Sequence, residues 1–101
     1  MERAHLETIR RVCQVTGMFC PHHEVAELLA WIMGYSEGIR QTTGKDPLLG
    51  FNEWLIRKFG WDRNVHWYTL ASQFSDLDPR RATLRVLELF EAFVAETTHS
   101  S

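Results

Sequence analysis

The chain has 101 residues, of which 45% are hydrophobic and 24% are charged. This composition is close to the average of soluble globular domains, and the length allows one hydrophobic core but not two. The formal net charge is −2, with 11 lysines and arginines against 13 aspartates and glutamates. That balance disfavours a nucleic-acid partner, because proteins that bind nucleic acids usually carry a dense basic surface.

The sequence also lacks the features of a membrane or secreted protein. No segment has the roughly 20 consecutive apolar residues of a transmembrane helix. The N-terminus, MERAHLETIRR, is charged throughout and does not resemble a signal peptide. We therefore expect a cytoplasmic protein with no membrane contact, in which Cys13 and Cys20 are reduced rather than joined in a disulfide.

Apolar residues recur mostly at helical spacing, which predicts an all-α fold, a single compact domain of about five helices. The first helix is predicted over residues 2–16 and the second over residues 21–41, with the second at the centre of the fold. Gly34 and Gly38 lie one turn apart in this second helix, and each costs about 1 kcal/mol of helix propensity relative to alanine. They predict that another backbone packs closely there; a kinked or frayed helix end is the alternative.

A loop is predicted over residues 42–50, because it carries two glycines and a proline. Within it, Leu48 and Leu49 are expected to fold back onto the core. The next segment, residues 51–59, has a short amphipathic pattern and is followed by Gly60, which predicts a third helix.

A fourth helix is predicted over residues 65–74 with Asn64 as its cap, and a strand over residues 65–70 is the competing prediction. An aspartate followed by a proline predicts the start of the last helix, which extends to about residue 96. The domain thus spans residues 1–96, and residues 97–101 are predicted to be a disordered tail. On the last helix, three leucines are expected to widen the apolar seam: Leu84, Leu87 and Leu89.

Residues 51–74 hold seven of the twelve aromatic residues of the chain. Helical spacing assigns most of them to the core: Phe51, Trp54, Phe59, Trp67 and Phe74. It does not account for five residues around the turn between the third and fourth helices: Trp61, Asp62, Arg63, His66 and Tyr68. Because tryptophan, tyrosine and arginine are enriched among interface hot spots, these five form the predicted partner-binding site.

No arrangement of side chains matches a catalytic or metal site. Cys13, Cys20, His22 and His23 have the right atom types for zinc, but the cysteines are too far apart in sequence for a usual structural site. His66 and Arg63, with Lys58, are candidates for a small enzyme or a nucleic-acid-processing protein only if the fold brings them together. We expect no cofactor, no metal and no enzymatic activity. Five acidic residues gain interest only if the fold clusters them: Asp62, Asp76, Asp78, Glu88 and Glu91.

The order of motifs along the chain resembles that of a group of small all-helical bacterial proteins. These carry a helix ending in a Gly-Met-Tyr-like turn, a Leu-rich helix ending in Gly-Tyr, a Phe-x-x-Trp helix and a final Leu/Phe-rich helix. The corresponding segments here are TGMFC, HEVAELLAWIMGYSEG, FNEWLIRKFG, HWYTL and RVLELFEAFVAE. Members of the group look like immunity or antitoxin-like proteins encoded near polymorphic toxins.

This resemblance implies a cytoplasmic inhibitor that neutralises a cognate toxin by direct binding, and mild acidity would suit a basic target. The leading prediction is accordingly a non-enzymatic protein-binding module, either a monomer or a homodimer. Two alternatives remain at this point: the small enzyme that uses His66 and Arg63, and a self-associating module. In the latter, Trp61 or Trp67 and the face with Gly34 and Gly38 meet across a symmetric dimer.

Overall fold

The computed structural model describes residues 1–15 and 24–99, and in them it shows five α-helices and no strand. The helices are α1 (Arg3–Gln14), α2 (Val25–Thr43), α3 (Phe51–Phe59), α4 (Leu70–Gln73) and α5 (Pro79–His99), with a 3-10 turn at Trp67–Thr69 before α4. The all-α single domain is confirmed. The second helix was predicted over residues 21–41, but Glu24 has an extended backbone and caps the helix, so α2 begins at Val25 and ends at Thr43. Residues 21–23 and the turn after the first helix lie outside the described residues.

The helices pack around α2 and α5, which contact each other and both contact α1. The 3-10 turn and α4 pack on α2, and α3 packs against the 3-10 turn. On α1, the apolar residues spaced three or four apart form the buried side: Leu6, Ile9, Val12 and Cys13. None of the described helices combines the length and apolar composition that a membrane crossing requires.

Phe51 is the centre of the aromatic core. Its ring contacts Trp54 on the next turn of α3, Trp67 of the 3-10 turn, and Phe90 and Phe93 of α5. The closest of these is the stacked pair with Phe90, whose ring centroids are 4.3 Å apart. Because four rings from three elements meet on one side chain, Phe51 fixes the position of α3 on α5.

The fourth helix is shorter than the prediction and begins differently. Residues 67–69 form a 3-10 turn that leads into the four-residue α4, and the alternative of a strand is wrong. The cap is His66 rather than Asn64, because the His66 Nδ1 accepts a hydrogen bond from the Tyr68 backbone N–H at 3.1 Å. Histidine is not a usual cap, so the sequence pattern favoured the asparagine.

Three apolar residues predicted to be in the core are exposed. Leu49 is 77% exposed and Leu84 is 52% exposed, although Leu48, Leu87 and Leu89 beside them are buried. Phe59, at the last position of α3, is 37% exposed. Helical or loop spacing predicts which side of an element a residue lies on, but not how far the neighbouring elements extend over that side. These three residues lie beyond the part that their neighbours cover.

The prediction of close backbone packing at Gly34 and Gly38 is also wrong. A Cβ atom placed on either glycine would meet nothing within 4 Å among the residues that the structure describes. Both residues are exposed, and α2 continues past them to Thr43, where Gly44 ends it with φ of 78°. At the other end of the chain, α5 extends through residues 97–99, where a disordered tail was predicted; the last two residues lie outside the described part.

Candidate functional site

The turn after α3 is shaped by the glycine that ends the helix. Gly60 has φ of 67°, in the left-handed region, and the Trp61 N–H donates to the Ile56 carbonyl at 2.9 Å. This geometry reverses the chain and brings the Trp61 ring onto Phe59, with centroids 5.2 Å apart and planes 20° apart. Trp61 is half-buried and packs on the core, so Phe59 forms the exposed side of the pair.

Asp62 and Arg63 follow on the outside of the turn. The Asp62 carbonyl accepts from the Val65 N–H at 3.1 Å, which holds the turn closed. Both side chains are exposed, and neither makes an ion pair or hydrogen bond with any described residue. Their charges are therefore open to a partner.

His66 and Tyr68 point towards different parts of α2. The Tyr68 hydroxyl donates to the Ala26 carbonyl at 3.2 Å, near the start of the helix, and 36% of the Tyr68 surface remains exposed. His66 instead lines a groove beside Met33 and Glu37, in the C-terminal half of the helix. The five predicted contact residues thus divide into the group around Trp61 and the pair that reaches α2.

Asn52, which the sequence analysis did not single out, holds this turn in place. Its Nδ2 donates to the Val65 carbonyl at 3.0 Å, and its Oδ1 accepts from the Trp67 N–H. One side chain in the first turn of α3 therefore satisfies a donor and an acceptor of the loop. An asparagine near a helix start usually indicates a local cap, so nothing in the sequence pointed to this contact over 13 to 15 residues.

The groove beside the turn has a volume of about 510 Å³ and lies between the C-terminal half of α2 and the start of α3. Its apolar lining residues are Met33, Leu48, Leu49, Gly50 and Trp67. Its polar lining residues are Ser36, Glu37, Arg40, Asp46, Asn52, Glu53 and His66. No sequence pattern predicts this groove, because its residues come from four separate segments.

Acidic side chains outnumber basic side chains in the lining of this groove. It contains three carboxylates, those of Glu37, Asp46 and Glu53, and one guanidinium, that of Arg40. Arg40 donates two hydrogen bonds to Glu37, and this contact, helped by Gln41, holds the pKa of Glu37 below its ordinary value of 4.5. With His66 counted as neutral, the lining side chains thus carry a formal excess of two negative charges.

A larger groove of about 1220 Å³ lies on the other side of Leu49, which lines both together with Arg40 and Asp46. It is bordered by the start of α1, where His5 Nδ1 and the Tyr35 hydroxyl are 2.7 Å apart. Glu2 Oε2 lies 3.8 Å from the other ring nitrogen of His5. The lining carboxylates of Glu2 and Asp46 are matched there by the side chains of Arg40 and Lys45, so this groove has no excess of negative charge.

The remaining predicted site residues lie outside the groove between α2 and α3 or make contacts of their own. The groove that His66 lines includes neither Lys58 nor Arg63, and the Lys58 Nζ lies 5.1 Å from the centroid of the Trp54 ring. Among the five acidic residues, Asp78 accepts from the Arg81 N–H at the start of α5. Glu88 pairs with Arg85, and Glu91 pairs with Arg10.

The structure also describes two of the residues considered for a metal site or a dimer contact, Cys13 and Trp67. Cys13 is buried in α1, and the other three zinc candidates lie outside the described residues. In the described part of the chain, no three His, Cys, Asp or Glu residues form a group that could hold a metal ion. Trp67, one of the residues considered for a dimer contact, is buried in the core at 6% exposure.

Comparison with protein-family models finds no matching family, and comparisons with curated proteins and with solved structures find no significant match. The two features that geometry offers are the aromatic turn and the acidic groove beside it.

Proposed function

We propose that this protein is a non-enzymatic protein-binding domain, and specifically an immunity protein that neutralises a cognate bacterial toxin by direct binding. The observation that carries the proposal is the turn of residues 59–68, which presents aromatic and charged side chains while its backbone is held rigid. Phe59 and Tyr68 are more than one-third exposed, and Asp62 and Arg63 have no partner among the described residues. Such residues dominate the binding energy of protein interfaces.

Rigidity supports the proposal because an ordered contact surface loses little conformational entropy when it binds. Asn52 bonds to both ends of the segment 65–67, Gly60 sets the reversal, and Tyr68 is tied to α2. The specific role of toxin inhibitor rests on the resemblance in motif order to small bacterial immunity-like proteins. In that role the protein acts in the cytoplasm, one copy for each toxin molecule.

Chemistry at the turn gives the small-enzyme alternative less support. His66 accepts a backbone hydrogen bond through Nδ1, and in the neutral imidazole Nε2 then carries the proton. A general base needs a lone pair directed at a substrate, and neither Lys58 nor Arg63 lines the groove beside His66.

The proposal is tested with the products of the genes that lie next to this one. We expect one of them to be toxic when expressed alone, to be harmless when expressed with this protein, and to form a stoichiometric complex with it in size-exclusion chromatography. If every neighbouring product is non-toxic or fails to bind the purified protein, the immunity role is wrong.

Variants then test the contact surface. Trp61→Ala should weaken the complex at least about 30-fold, the loss typical of a hot-spot aromatic residue. Trp31→Ala is the matched control, because Trp31 is also half-buried but lies on α2, where it stacks on Tyr35. Circular dichroism checks that both variants fold. Equal affinities of the two variants would remove the turn from the interface.

A further inference from the structure

We infer that the groove between α2 and α3 is a docking site for a segment of a partner protein that carries an apolar anchor side chain beside a lysine or arginine. This inference rests on the proposed function, because it names the chemistry of the partner. It also places part of the expected contact surface in the groove and not on the turn, since His66 is the only one of the five predicted contact residues that lines the groove.

The apolar part of the groove is not covered by the described chain. Leu49 is 77% exposed, the largest exposure among the large apolar residues of the described part, and Met33 is 38% exposed. Both line the groove together with the buried Leu48 and Trp67. A volume of about 510 Å³ accommodates a few side chains of a peptide. An aliphatic or aromatic side chain in this place would remove Leu49 and Met33 from water.

Leu49 is held in this exposed position by local hydrogen bonds. The Asp46 carboxylate accepts from the Leu48 N–H at 2.9 Å, and the Asp46 carbonyl accepts from the Leu49 N–H at 3.2 Å. The Phe51 N–H donates to the Leu48 carbonyl at 3.0 Å. The turn thus buries Leu48 and turns Leu49 outward, so the exposed leucine belongs to an ordered segment.

The carboxylates of the groove favour a partner segment with a basic side chain. Glu37 is already paired with Arg40, and Asp46 uses one oxygen for the Leu48 N–H. Glu53 has no ion pair or hydrogen bond to its side chain within the described residues. Asp46 and Glu53 therefore offer carboxylate oxygens to a basic side chain and repel an acidic one. The larger groove has no such excess, so of these two grooves only the one between α2 and α3 favours a basic occupant.

The experiment uses two synthetic peptides as probes, one made of alternating leucine and lysine and the other of alternating leucine and glutamate. Each is added to the 101-residue protein, and amide and side-chain shifts are followed by NMR. We expect the lysine peptide to shift Leu49, Asn52 and Glu53, to leave residues remote from the groove unchanged, and to bind less tightly as salt rises. We expect no such shifts with the glutamate peptide.

Charge and apolar contact are separated by variants. Asp46→Asn with Glu53→Gln removes both charges but keeps an acceptor for the Leu48 N–H, and should weaken the lysine peptide about three- to tenfold. Leu49→Ala should weaken it by a similar factor. The matched control is Asp76→Asn with Glu96→Gln, which changes the net charge equally at exposed positions outside the groove and should have little effect.

Three results would overturn the inference: no binding of the lysine peptide, shifts spread over the whole surface, or equal losses in the groove and control variants. Once a toxin that binds this protein has been identified, the affinity of the groove variant for that toxin distinguishes the immunity role from the docking role of the groove. A complex that forms normally with the Asp46→Asn, Glu53→Gln variant would leave the immunity role standing and reject the groove as its docking site.

Discussion

Asn52 is the residue on which the shape of the aromatic turn depends most. It connects α3 to the backbone at Val65 and Trp67 by two hydrogen bonds, and both bonds are partly buried. An unpaired N–H or carbonyl at such a position loses its contact with water without gaining another, so removal of the side chain costs more than the bonds themselves contribute.

We expect Asn52→Ala to lower the free energy of unfolding by about 2 kcal/mol. The Trp67 amide should also exchange with solvent faster, because its acceptor is lost. Urea denaturation and hydrogen exchange measure the two effects. Asn64→Ala is the control: Asn64 is exposed in the same turn and caps nothing, so its loss should change stability by less than about 0.5 kcal/mol. Similar losses in both variants would contradict the role assigned to Asn52.

At the scale of elements, glycine serves two different purposes in the helices. Gly60 ends α3 with φ of 67°, where a side chain strains the backbone whatever space surrounds it. Gly34 and Gly38 lie within α2, in ordinary helical conformation and with open space where a Cβ would be. The first is required by the turn, whereas the other two lie at exposed positions of α2 and lower its stability with no packing reason inside the described chain.

Alanine substitutions at Gly34 and Gly60 should therefore change the free energy of unfolding in opposite directions. Gly34→Ala should raise the free energy of unfolding by about 1 kcal/mol through helix propensity. Gly60→Ala should lower it by about 1 to 2 kcal/mol, because alanine is strained at positive φ. Thermal or urea unfolding of the two variants gives the comparison. A destabilising Gly34→Ala would mean that this face packs against something, for instance a second copy of the chain, which sedimentation would reveal.

At the scale of the whole molecule, the helices depend on one aromatic cluster. Phe51 is fully buried, and its ring contacts Trp54, Trp67, Phe90 and Phe93. A domain of this size typically has a total stability of 5 to 15 kcal/mol, so the loss of one central ring is a large fraction of it. The aromatic residues between Phe51 and Tyr68 are thus divided between this cluster and the exposed turn.

Phe51→Ala should cost about 3 to 5 kcal/mol, from lost burial and the cavity left among the other rings. Phe59→Ala, which removes the same side chain from the exposed end of the same helix, should cost about 1 kcal/mol. The difference should appear as separate urea midpoints with similar slopes. If Phe59→Ala were as damaging as Phe51→Ala, the pair formed by Phe59 and Trp61 would belong to the core.

The sequence by itself determined the helical class, the bounds of α3 and the start of α5, because apolar spacing, glycine ends and the proline at the start of α5 are local signals. α3 begins and ends where its pattern predicts, at Phe51 and Phe59. Local signals also placed Phe51, Trp54 and Trp67 in the core. They could not show where the core surface ends, and for this reason Phe59, Leu49 and Leu84 were assigned to it incorrectly.

Only the tertiary structure decided what surrounds each exposed residue. The bonds from Asn52 to the turn and from Tyr68 to Ala26 span 13 to 42 residues, so no periodicity in the sequence encodes them. The acidic groove likewise takes its residues from α2, the loop after it, α3 and the turn, and its charge excess exists only once these segments are packed together. Local patterns specify elements, whereas a binding surface is a property of their arrangement.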